Sequence, residues 1–357
     1  MRFGMFYIVQ SHPDWTEQQS LNEAVEQIEL GERLGLDDVW LGEHHFSRHG
    51  LLSGIFSFAG YVAARTQRIR IGTAIVVLPF HNPILVAEES AMLDVLSNGR
   101  FDLGVGAGYQ RREFEGLGVD VEESRDRFRE YMDVVVRAWT EETLTYHGKY
   151  VNVDDLWVIP KPVQKPHPPL YQAISTSPAS VELAATNGIT CIFGGPTATM
   201  GQVPDAIRLW REKMGEFGQE HAHIDPPVSI NIYVAPSVEE AEADAAGRED
   251  FSAKILARIG SPADKNGKLP AGYEAWATRQ KDRQAHQEGK GGILPLRGTP
   301  EVVAERIENI RSMGVNHIFG SFGFPGLPHE KVLRSIEMFT TKVMPHFKVA
   351  SDQHVVG

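Results

Sequence analysis

The chain has 357 residues, enough for one large α/β domain or two smaller ones. It carries 35 basic and 47 acidic side chains, and its net charge of −12 argues against nucleic-acid binding and gives no support to docking on anionic membranes. The single cysteine, Cys191, excludes a disulfide within this chain and a thiolate metal cluster. No apolar run has the length of a membrane span or the form of a signal peptide, so we expect a cytoplasmic protein.

Short apolar runs alternate with longer amphipathic segments along the chain. The apolar runs predict eight strands, at residues 2–9, 38–42, 69–78, 101–108, 169–174, 190–194, 228–235 and 316–322. The amphipathic segments predict helices at residues 16–34, 53–65, 83–96, 122–139, 175–188, 202–217, from 238 onward, 298–313 and 329–344. Because the strands are almost continuously apolar, both of their faces must be covered, which predicts a parallel sheet closed into a (β/α)8 TIM barrel. A doubly wound open sheet is the alternative, but it would call for a glycine fingerprint after the first strand, and none is present.

Two stretches interrupt the alternation. Residues 146–169 are rich in proline and predict an irregular excursion across the surface. Residues 261–296 are polar, contain five glycines and have weak periodicity, so they predict a lid or a disordered segment before the last strand–helix unit. We assign residues 1–357, including both of these stretches, to a single barrel domain.

The helix predicted at residues 53–65 is apolar around most of its circumference. Such a helix requires burial on two sides, so we expect a second subunit to cover one side while the barrel covers the other. A homodimer is the arrangement we predict.

Ionisable side chains follow the second predicted strand directly, as Glu43, His44 and His45. Partly buried polar groups must be paired or must take part in chemistry, and the carboxyl ends of barrel strands are where ligands bind. The alternative is structural, with Glu43 and His45 capping a loop and His44 a hydrogen-bonded core histidine. We predict no metal site, because consecutive side chains on a strand point in different directions and no third ligand has suitable spacing.

Hydroxyl side chains follow the fifth predicted strand, at Ser175, Thr176, Ser177 and Ser180, where a helix begins. The unpaired amides and dipole of a helix N-terminus favour an anion, and the pair Gly194–Gly195 after the next strand lets the backbone approach a ligand closely. Plain helix capping is the alternative. The glycines of residues 104–108 are weak support for a nicotinamide site, because their spacing departs from the dinucleotide fingerprint, and we assign them to making room for a flat ligand.

Several separate stretches resemble the bacterial luciferase-like family of flavin-dependent monooxygenases. The resemblance runs essentially end to end and is carried by residues 2–4, 40–46, 50–52, 72–79, 99–101, 298–300 and 343–346. It implies a barrel that binds FMN, used in reduced form and delivered by a separate NAD(P)H:flavin reductase. In that family O2 adds to the flavin C4a carbon, and the resulting peroxide oxygenates a small organic substrate. For this chain we expect the substrate to be apolar.

The resemblance also implies roles for individual residues. His44 would be the catalytic acid and base, a task that suits a side chain titrating near neutrality. Segment 261–296 would be a mobile lid, and the bond between residues 74 and 75 would be a non-proline cis peptide. The isoalloxazine and the phosphate would contact a set of cofactor-binding residues, namely Glu43, Ala74, Ile75, Ala107, Tyr109, Ala173, Ser175, Thr176, Ser177, Gly194 and Gly195.

The chain departs from the light-emitting members of the family after its fourth strand. They carry a Cys-Arg pair where this chain has Gly106 and Ala107, so a phosphate-contacting arginine is missing and bioluminescence is in doubt. Arg111 or Arg112 is a candidate replacement. We expect an apolar substrate pocket lined by four aromatic side chains, for which ordinary core packing is the alternative: Phe46, Phe80, Tyr109 and Phe114.

Two other functions fit the same barrel. One is an oxidoreductase that uses the deazaflavin F420 for hydride transfer. The other is a non-catalytic flavin-binding subunit, like the partner chain of a luciferase heterodimer. The presence of His44 and of a full-length lid segment argues against the second.

Overall fold

The computed structural model describes residues 1–194, 199–218, 224–246, 251, 254–255, 259–271, 273, 276 and 295–348. The strands in this part of the chain are β1 Arg2–Tyr7, β2 Asp38–Leu41, β3 Arg70–Thr73, β4 Val76–Val77, β5 Phe101–Gly106, β6 Leu144–His147, β7 Asn152–Leu156, β8 Leu170–Ala173, β9 Thr190–Ile192, β10 Val228–Ser229, β11 Ile232–Val234, β12 Leu296–Gly298 and β13 His317–Gly320. The helices are α1 Glu17–Arg33, α2 Ile55–Arg65, α3 Pro83–Leu96, α4 Arg111–Leu117, α5 Ser124–Thr140, α6 Pro178–Thr186, α7 Val203–Glu216, α8 Val238–Ala245, α9 Pro300–Ser312 and α10 His329–Met338. Each helix in the described part of the chain is too short or too polar to span a lipid bilayer.

Eight strands pair in parallel in the order β10, β13, β1, β2, β3, β5, β8, β9. A bridge between Phe193 and Val228 joins the two ends of this order. There, the amide of Ser229 donates to the carbonyl of Phe193 over 2.8 Å, and the amide of Phe193 donates to the carbonyl of Pro227 over 3.0 Å. The sheet is therefore closed, and the predicted (β/α)8 barrel is confirmed.

Large side chains fill the interior of the barrel. Trp40, Tyr171, Ile192 and Phe319 form a cluster separate from the larger core between the strands and the helices. The rings of Trp40 and Tyr171 meet edge to face, with their centroids 4.9 Å apart. A Cβ atom at Gly72 would lie 2.4 Å from the Trp40 ring, so the neighbouring strand accommodates the indole only because it carries glycine at that position.

A charged cluster lies at the starts of the strands, below these rings. The fully buried carboxylate of Asp38 accepts hydrogen bonds from Arg2 over 2.9 Å and from the indole of Trp40 over 2.7 Å, and His317 lies 3.0 Å from it. Burial alone would raise the pKa of Asp38, but His317 and Arg2 outweigh it and hold this pKa well below its ordinary value. Polar groups at this end of a barrel stabilise the fold, so ligand chemistry is expected at the opposite end.

Three predicted elements differ from the structure. The predicted strand at 69–78 is interrupted after Thr73, and the cis peptide between Ala74 and Ile75 leads into β4. The predicted strand at 228–235 is divided, because β10 belongs to the barrel whereas β11 pairs with β12 outside it. The excursion at 146–169 is not wholly irregular: β6 and β7 form an antiparallel hairpin around the Glu130 carboxylate, which accepts hydrogen bonds from the amides of residues 149–151. These differences depend on partners distant in sequence, which local periodicity does not reveal.

Candidate active site

A cavity of about 1350 Å³ lies at the carboxyl ends of the barrel strands. Residues that follow each of the eight barrel strands line it. Among the lining residues are His44 after β2, Ala74 and Ile75 after β3, Ala107 and Tyr109 after β5, Ala173 and Ser175 around the end of β8, and Gly194 after β9. Most of the residues that were predicted as ligand contacts from the ends of the strands therefore line this one cavity.

His44 is paired with a buried carboxylate. Its Nδ1 atom lies 3.0 Å from Oε1 of Glu113, which also accepts a hydrogen bond from the amide of His45 over 2.9 Å. Glu113 is buried, so its carboxylate is held by these donors and not by solvent. Because Nδ1 faces an acceptor, Nε2 is the ring nitrogen left for a ligand, and within the described part of the chain it has no hydrogen bond.

Glu113 was missed at the level of sequence, because it lies on the short helix α4, which the sequence pattern did not predict. In the sequence, Glu113 could have been recognised as an acidic residue a few positions beyond the glycines at the end of β5. Gln110, also buried, lies beside the same ring: its Nε2 is 3.2 Å from His44 Nδ1 and donates to the Tyr109 hydroxyl over 3.2 Å.

The Glu43 side chain is fully buried, so Glu43 borders the cavity through its main chain. Its carboxylate accepts hydrogen bonds from His45 and from His81, each over 2.8 Å, and from the amide of Val77 over 2.7 Å. Burial alone would raise the pKa of Glu43, but the hydrogen bonds from the two histidines outweigh it and hold this pKa below its ordinary value.

The wall next to Glu43 is apolar and is formed by the peptide between Ala74 and Ile75. The expected cis geometry of this peptide is confirmed. A Cβ atom at Gly106 would lie 2.2 Å from Cδ1 of Ile75, so the glycine of the neighbouring strand makes room for that side chain. Together with Ala107 these residues offer the cavity a surface without polar side chains.

Three serine hydroxyls form a cluster at the start of α6. Oγ of Ser175 lies 3.0 Å from Oγ of Ser177 and 3.2 Å from Oγ of Ser180, and the last two are 2.9 Å apart. All three residues line the cavity, and Ser177 occupies the N-cap position without making a side-chain capping bond. The hydroxyls and the amino end of α6 together offer donors suited to an anion.

Thr176 does not join this cluster. The Thr176 side chain is buried away from the cavity, and its hydroxyl donates to Oε1 of Gln202 over 2.8 Å. Gly195 lies outside the described residues. The Thr176 side chain thus belongs to the contact between the loop before α6 and the turn before α7, and its role at a phosphate stays a prediction.

Three of the four aromatic residues predicted for the substrate pocket do not line the cavity. Phe46 is half exposed and covers Gly116, while Phe80 and the buried Phe114 pack against each other with ring centroids 4.7 Å apart. For these three the prediction is wrong, and Tyr109 alone of the four reaches the cavity. The aromatic side chains that do line it come largely from other strands and loops, among them Phe6, Trp15, Trp276, Phe319, Phe322 and Phe324.

Described residues of the 261–296 segment contribute to the cavity wall. Trp276 stacks on Tyr109 with ring centroids 5.4 Å apart, and the Tyr273 hydroxyl bonds to the carbonyl of Gly108. The guanidinium of Arg125 lies 5.0 Å from the centroid of the Tyr273 ring and also borders the cavity. Residues 272, 274–275 and 277–294 are outside the described part of the chain, so the mobile lid stays a prediction.

The two arginines suggested as phosphate ligands do not border the cavity. Arg111 instead anchors the 261–296 segment, since its amide donates to the carbonyl of Ser261 over 3.2 Å and its Nε to that of Pro262 over 3.0 Å. Arg112 is exposed. Arg125 and Arg129 on α5 and Arg297 on β12 are the arginines that border the cavity within the described residues, and sequence reasoning missed them. In the described residues no group of three or more His, Cys, Asp and Glu side chains is arranged to hold a metal ion.

A closed parallel barrel with a large cavity at the carboxyl ends of its strands is the architecture of a TIM-barrel enzyme. The chain belongs to the luciferase-like monooxygenase family, whose model matches residues 1–317. Membership of this family confirms the expected enzyme class, a flavin-dependent monooxygenase.

Relatives in this family match nearly the full chain. Over 346 residues the chain is 30% identical to 4-hydroxyprotoasukamycin monooxygenase of Streptomyces nodosus subsp. asukaensis, covering 93% of this chain and 88% of the relative. It is 26% identical to the alkanal monooxygenase alpha chain of Photorhabdus laumondii, over 98% of both chains. The solved structure of a monooxygenase from Streptomyces bottropensis is 27% identical, with a TM-score of 0.82 over 98% of this chain and 100% of that chain.

Two further matches differ in the cofactor that they name. The oxygenase component of flavin-dependent trigonelline monooxygenase from Acinetobacter baylyi is 33% identical over 197 residues, which are 53% of this chain and 52% of that protein. An F420-dependent secondary alcohol dehydrogenase is 20% identical, with a TM-score of 0.70 over 98% of this chain and 99% of that chain. The second likeness shows the fold alone.

Proposed function

We propose that this protein is an FMN-dependent monooxygenase that uses reduced flavin and O2 to oxygenate a small apolar organic substrate. The observation that carries the proposal is the pairing of two sites in one cavity. The imidazole of His44, held by Glu113, follows β2, and the serine cluster follows β8, three strands further round the barrel. A proton carrier and an anion site so placed suit a ligand with a reactive ring at one end and a phosphate at the other.

The cavity residues fit FMN in three respects. The hydroxyls of Ser175, Ser177 and Ser180, together with the amino end of α6, suit a phosphate dianion. The apolar wall at Ala74 and Ile75 suits the face of a flat ring. The volume of about 1350 Å³ exceeds the roughly 300–1000 Å³ of an ordinary ligand pocket, which leaves room for a substrate beside the cofactor.

Reduced FMN, when bound, supplies the electrons with which O2 is activated. The contribution of the chain is to move a proton and to exclude water. The Glu113 carboxylate accepts a hydrogen bond from Nδ1–H of His44, so Nε2 is the atom that takes or gives a proton at the cavity. Tyr109 and Trp276, stacked on one another, cover part of the cavity and limit the access of water.

Reduced flavin must be supplied by another protein, and we propose a separate NAD(P)H:flavin reductase as the partner. The description of the trigonelline relative as an oxygenase component supports a two-component system. The intact pair of His44 and Glu113 argues against a non-catalytic subunit, since a subunit that only binds flavin does not require a buried carboxylate behind a cavity-facing imidazole.

The test is a titration of the purified protein with oxidised FMN, reduced FMN and F420, each followed by absorbance under anaerobic conditions. We expect reduced FMN to bind, and we expect O2 consumption when a flavin reductase and NADH are added with a trial substrate such as a long-chain aldehyde or an aromatic ketone. Binding of F420 without binding of FMN would contradict the proposal and favour hydride transfer instead.

Removing hydroxyls from the serine cluster is expected to weaken FMN binding but not riboflavin binding. In the double variant Ser175→Ala/Ser177→Ala, the loss of hydrogen bonds to a charged phosphate corresponds to about a tenfold higher Kd for FMN. Riboflavin lacks the phosphate and should bind the variant and the parent equally. Thr186→Ala, at the far end of α6, is the matched control. If the double variant lost affinity equally for FMN and riboflavin, the assignment of the serine cluster to the phosphate would be refuted.

We also propose a homodimer whose interface includes α2 and α3. Leu85, Met92 and Leu96 lie on one stripe of α3, and each is more than half exposed. Tyr61 on α2 is nearly half exposed, and α2 and α3 pack side by side. Such a contiguous apolar face is typical of a subunit interface.

Leu96→Glu is expected to convert the dimer to a monomer, because a charge would be buried in an apolar contact. Light scattering coupled to size-exclusion chromatography should then give the chain mass of 39.7 kDa instead of twice that value. Met313→Glu, at an exposed apolar position beyond α9, is the control and should leave the dimer intact. A parent protein that elutes as a monomer would overturn the assignment.

A further inference from the structure

His81 lies outside the cavity yet contacts the carboxylate that supports its wall. It follows the short turn after β4, and its Nε2 lies 2.8 Å from the same Glu43 oxygen that His45 approaches to 2.8 Å. His81 does not line the cavity itself, and about a quarter of its side chain is exposed on the outer side of the barrel. One buried oxygen is therefore shared by two imidazoles, of which the outer one is in contact with solvent.

Glu43 connects these imidazoles to the main chain of the cavity wall. Its second carboxylate oxygen accepts the amide of Val77 over 2.7 Å, and its own amide donates to the carbonyl of Ile75 over 3.1 Å. The amide of Ala74 in turn donates to the carbonyl of Leu41. Since Ala74, Ile75 and Val77 all border the cavity, the position of this wall depends on where the Glu43 carboxylate is held.

The charges around His81 favour its protonated form. Burial alone would lower the pKa of His81, but the hydrogen bond to Glu43 and the charge of Glu43, with a further contribution from Glu89 on α3, outweigh burial and raise it. On the outer side, Arg127 of α5 borders a small second cavity together with His81, and its guanidinium is paired with Glu123. The protonated histidine and Glu43 form an ion pair, which makes a stronger hydrogen bond than the neutral histidine would.

We propose that His81 is a positioning residue for the flavin site, in which its protonated imidazole holds the Glu43 carboxylate and thereby fixes the wall formed by residues 74–77. The inference rests on the flavin site proposed above and adds a pH dependence to it. A histidine whose pKa is raised by its partner contributes fully below its ordinary pKa of about 6.5, and the contribution is lost as the pH rises through the raised value. Flavin binding should therefore weaken as the pH rises above about 6.5.

The experiment measures the Kd of oxidised FMN by quenching of flavin fluorescence between about pH 6 and pH 9. For the parent, we expect the Kd to rise about fivefold across the range, as a charged hydrogen bond becomes a neutral one. His81→Gln keeps a donor but cannot titrate, so its Kd should match the high-pH parent at every pH. His147→Asn, an exposed histidine paired with Asp154 on the hairpin, should behave like the parent. A His81→Gln profile that still rises like that of the parent would overturn the proposal.

A second measurement does not depend on flavin. The pKa of the His81 imidazole, followed by NMR in the flavin-free protein, should lie above 6.5 in the parent and should fall in Glu43→Gln, which retains the shape of Glu43 without its charge. A His81 pKa below 6.5 in the parent would overturn the proposal even if a variant failed to fold. If the parent bound no FMN at any pH while His81 titrated as expected, the proposed function would be wrong. The pairing of protonated His81 with Glu43 would still be established.

Discussion

His44→Ala is expected to lower turnover about a thousandfold while leaving the Kd for FMN within about twofold of the parent. A positioned acid or base typically contributes between about a hundredfold and ten-thousandfold to a rate, and alanine leaves no group at the cavity that can carry the proton. The imidazole is one contact among many around the cavity, so its loss should affect the reaction far more than binding. Turnover is measured as product formed with a reductase present, and the Kd by anaerobic titration.

His147→Ala provides the matched control for His44→Ala, since it removes an exposed imidazole that is also paired with a carboxylate. Its turnover should equal that of the parent. If His44→Ala retained turnover within a few-fold of the parent, His44 would be a structural histidine, which is the alternative that the sequence left open.

Glu113→Gln is expected to lower turnover about a hundredfold, again with little change in the Kd for FMN. Glutamine has nearly the same shape, but its neutral amide neither fixes the Nδ1 proton of His44 nor stabilises the imidazolium that forms when Nε2 accepts a proton. Glu113 also accepts a hydrogen bond from the amide of His45. Thermal unfolding of the variant should therefore be recorded to show that the loop after β2 is retained. Glu115→Gln, exposed on the same helix, is the matched control.

The two substitutions should not be additive. If Glu113 acts through His44, the double variant His44→Ala/Glu113→Gln should be no slower than His44→Ala alone. A double variant that is slower by the full product of the two effects would show that Glu113 acts on the reaction independently of the imidazole.

Much of the barrel could be predicted from the sequence because its strands are buried on both faces. All residues of β2 and β5 are buried, and continuous apolar runs of this kind distinguish parallel barrel strands from exposed ones. The hairpin of β6 and β7 could not be predicted, since its loop is held by Glu130 from a helix earlier in the chain. The pairing of β11 with β12 likewise joins segments about 60 residues apart, a contact for which local periodicity has no signal.

The site could be predicted as far as it follows directly from the ends of the strands. His44 and the serines after β8 come immediately after apolar runs, and the structure brings them to one cavity. Glu113 and Arg125 were missed, because each reaches the cavity from a helix whose orientation depends on tertiary packing. Phe46, at a φ of 55°, turns outward to cover Gly116, so its position after a strand end was misleading.

The cluster around Asp38 has a consequence for experiments that vary pH. A carboxylate whose pKa is lowered by folding stabilises the native state above its unfolded value of about 3.9, and this stabilisation is lost only as the pH falls through the lowered value. Asp38 itself therefore stays ionised from mildly acidic to alkaline buffers. A change in flavin affinity across the interval in which His81 titrates cannot come from protonation of this buried carboxylate at the start of β2.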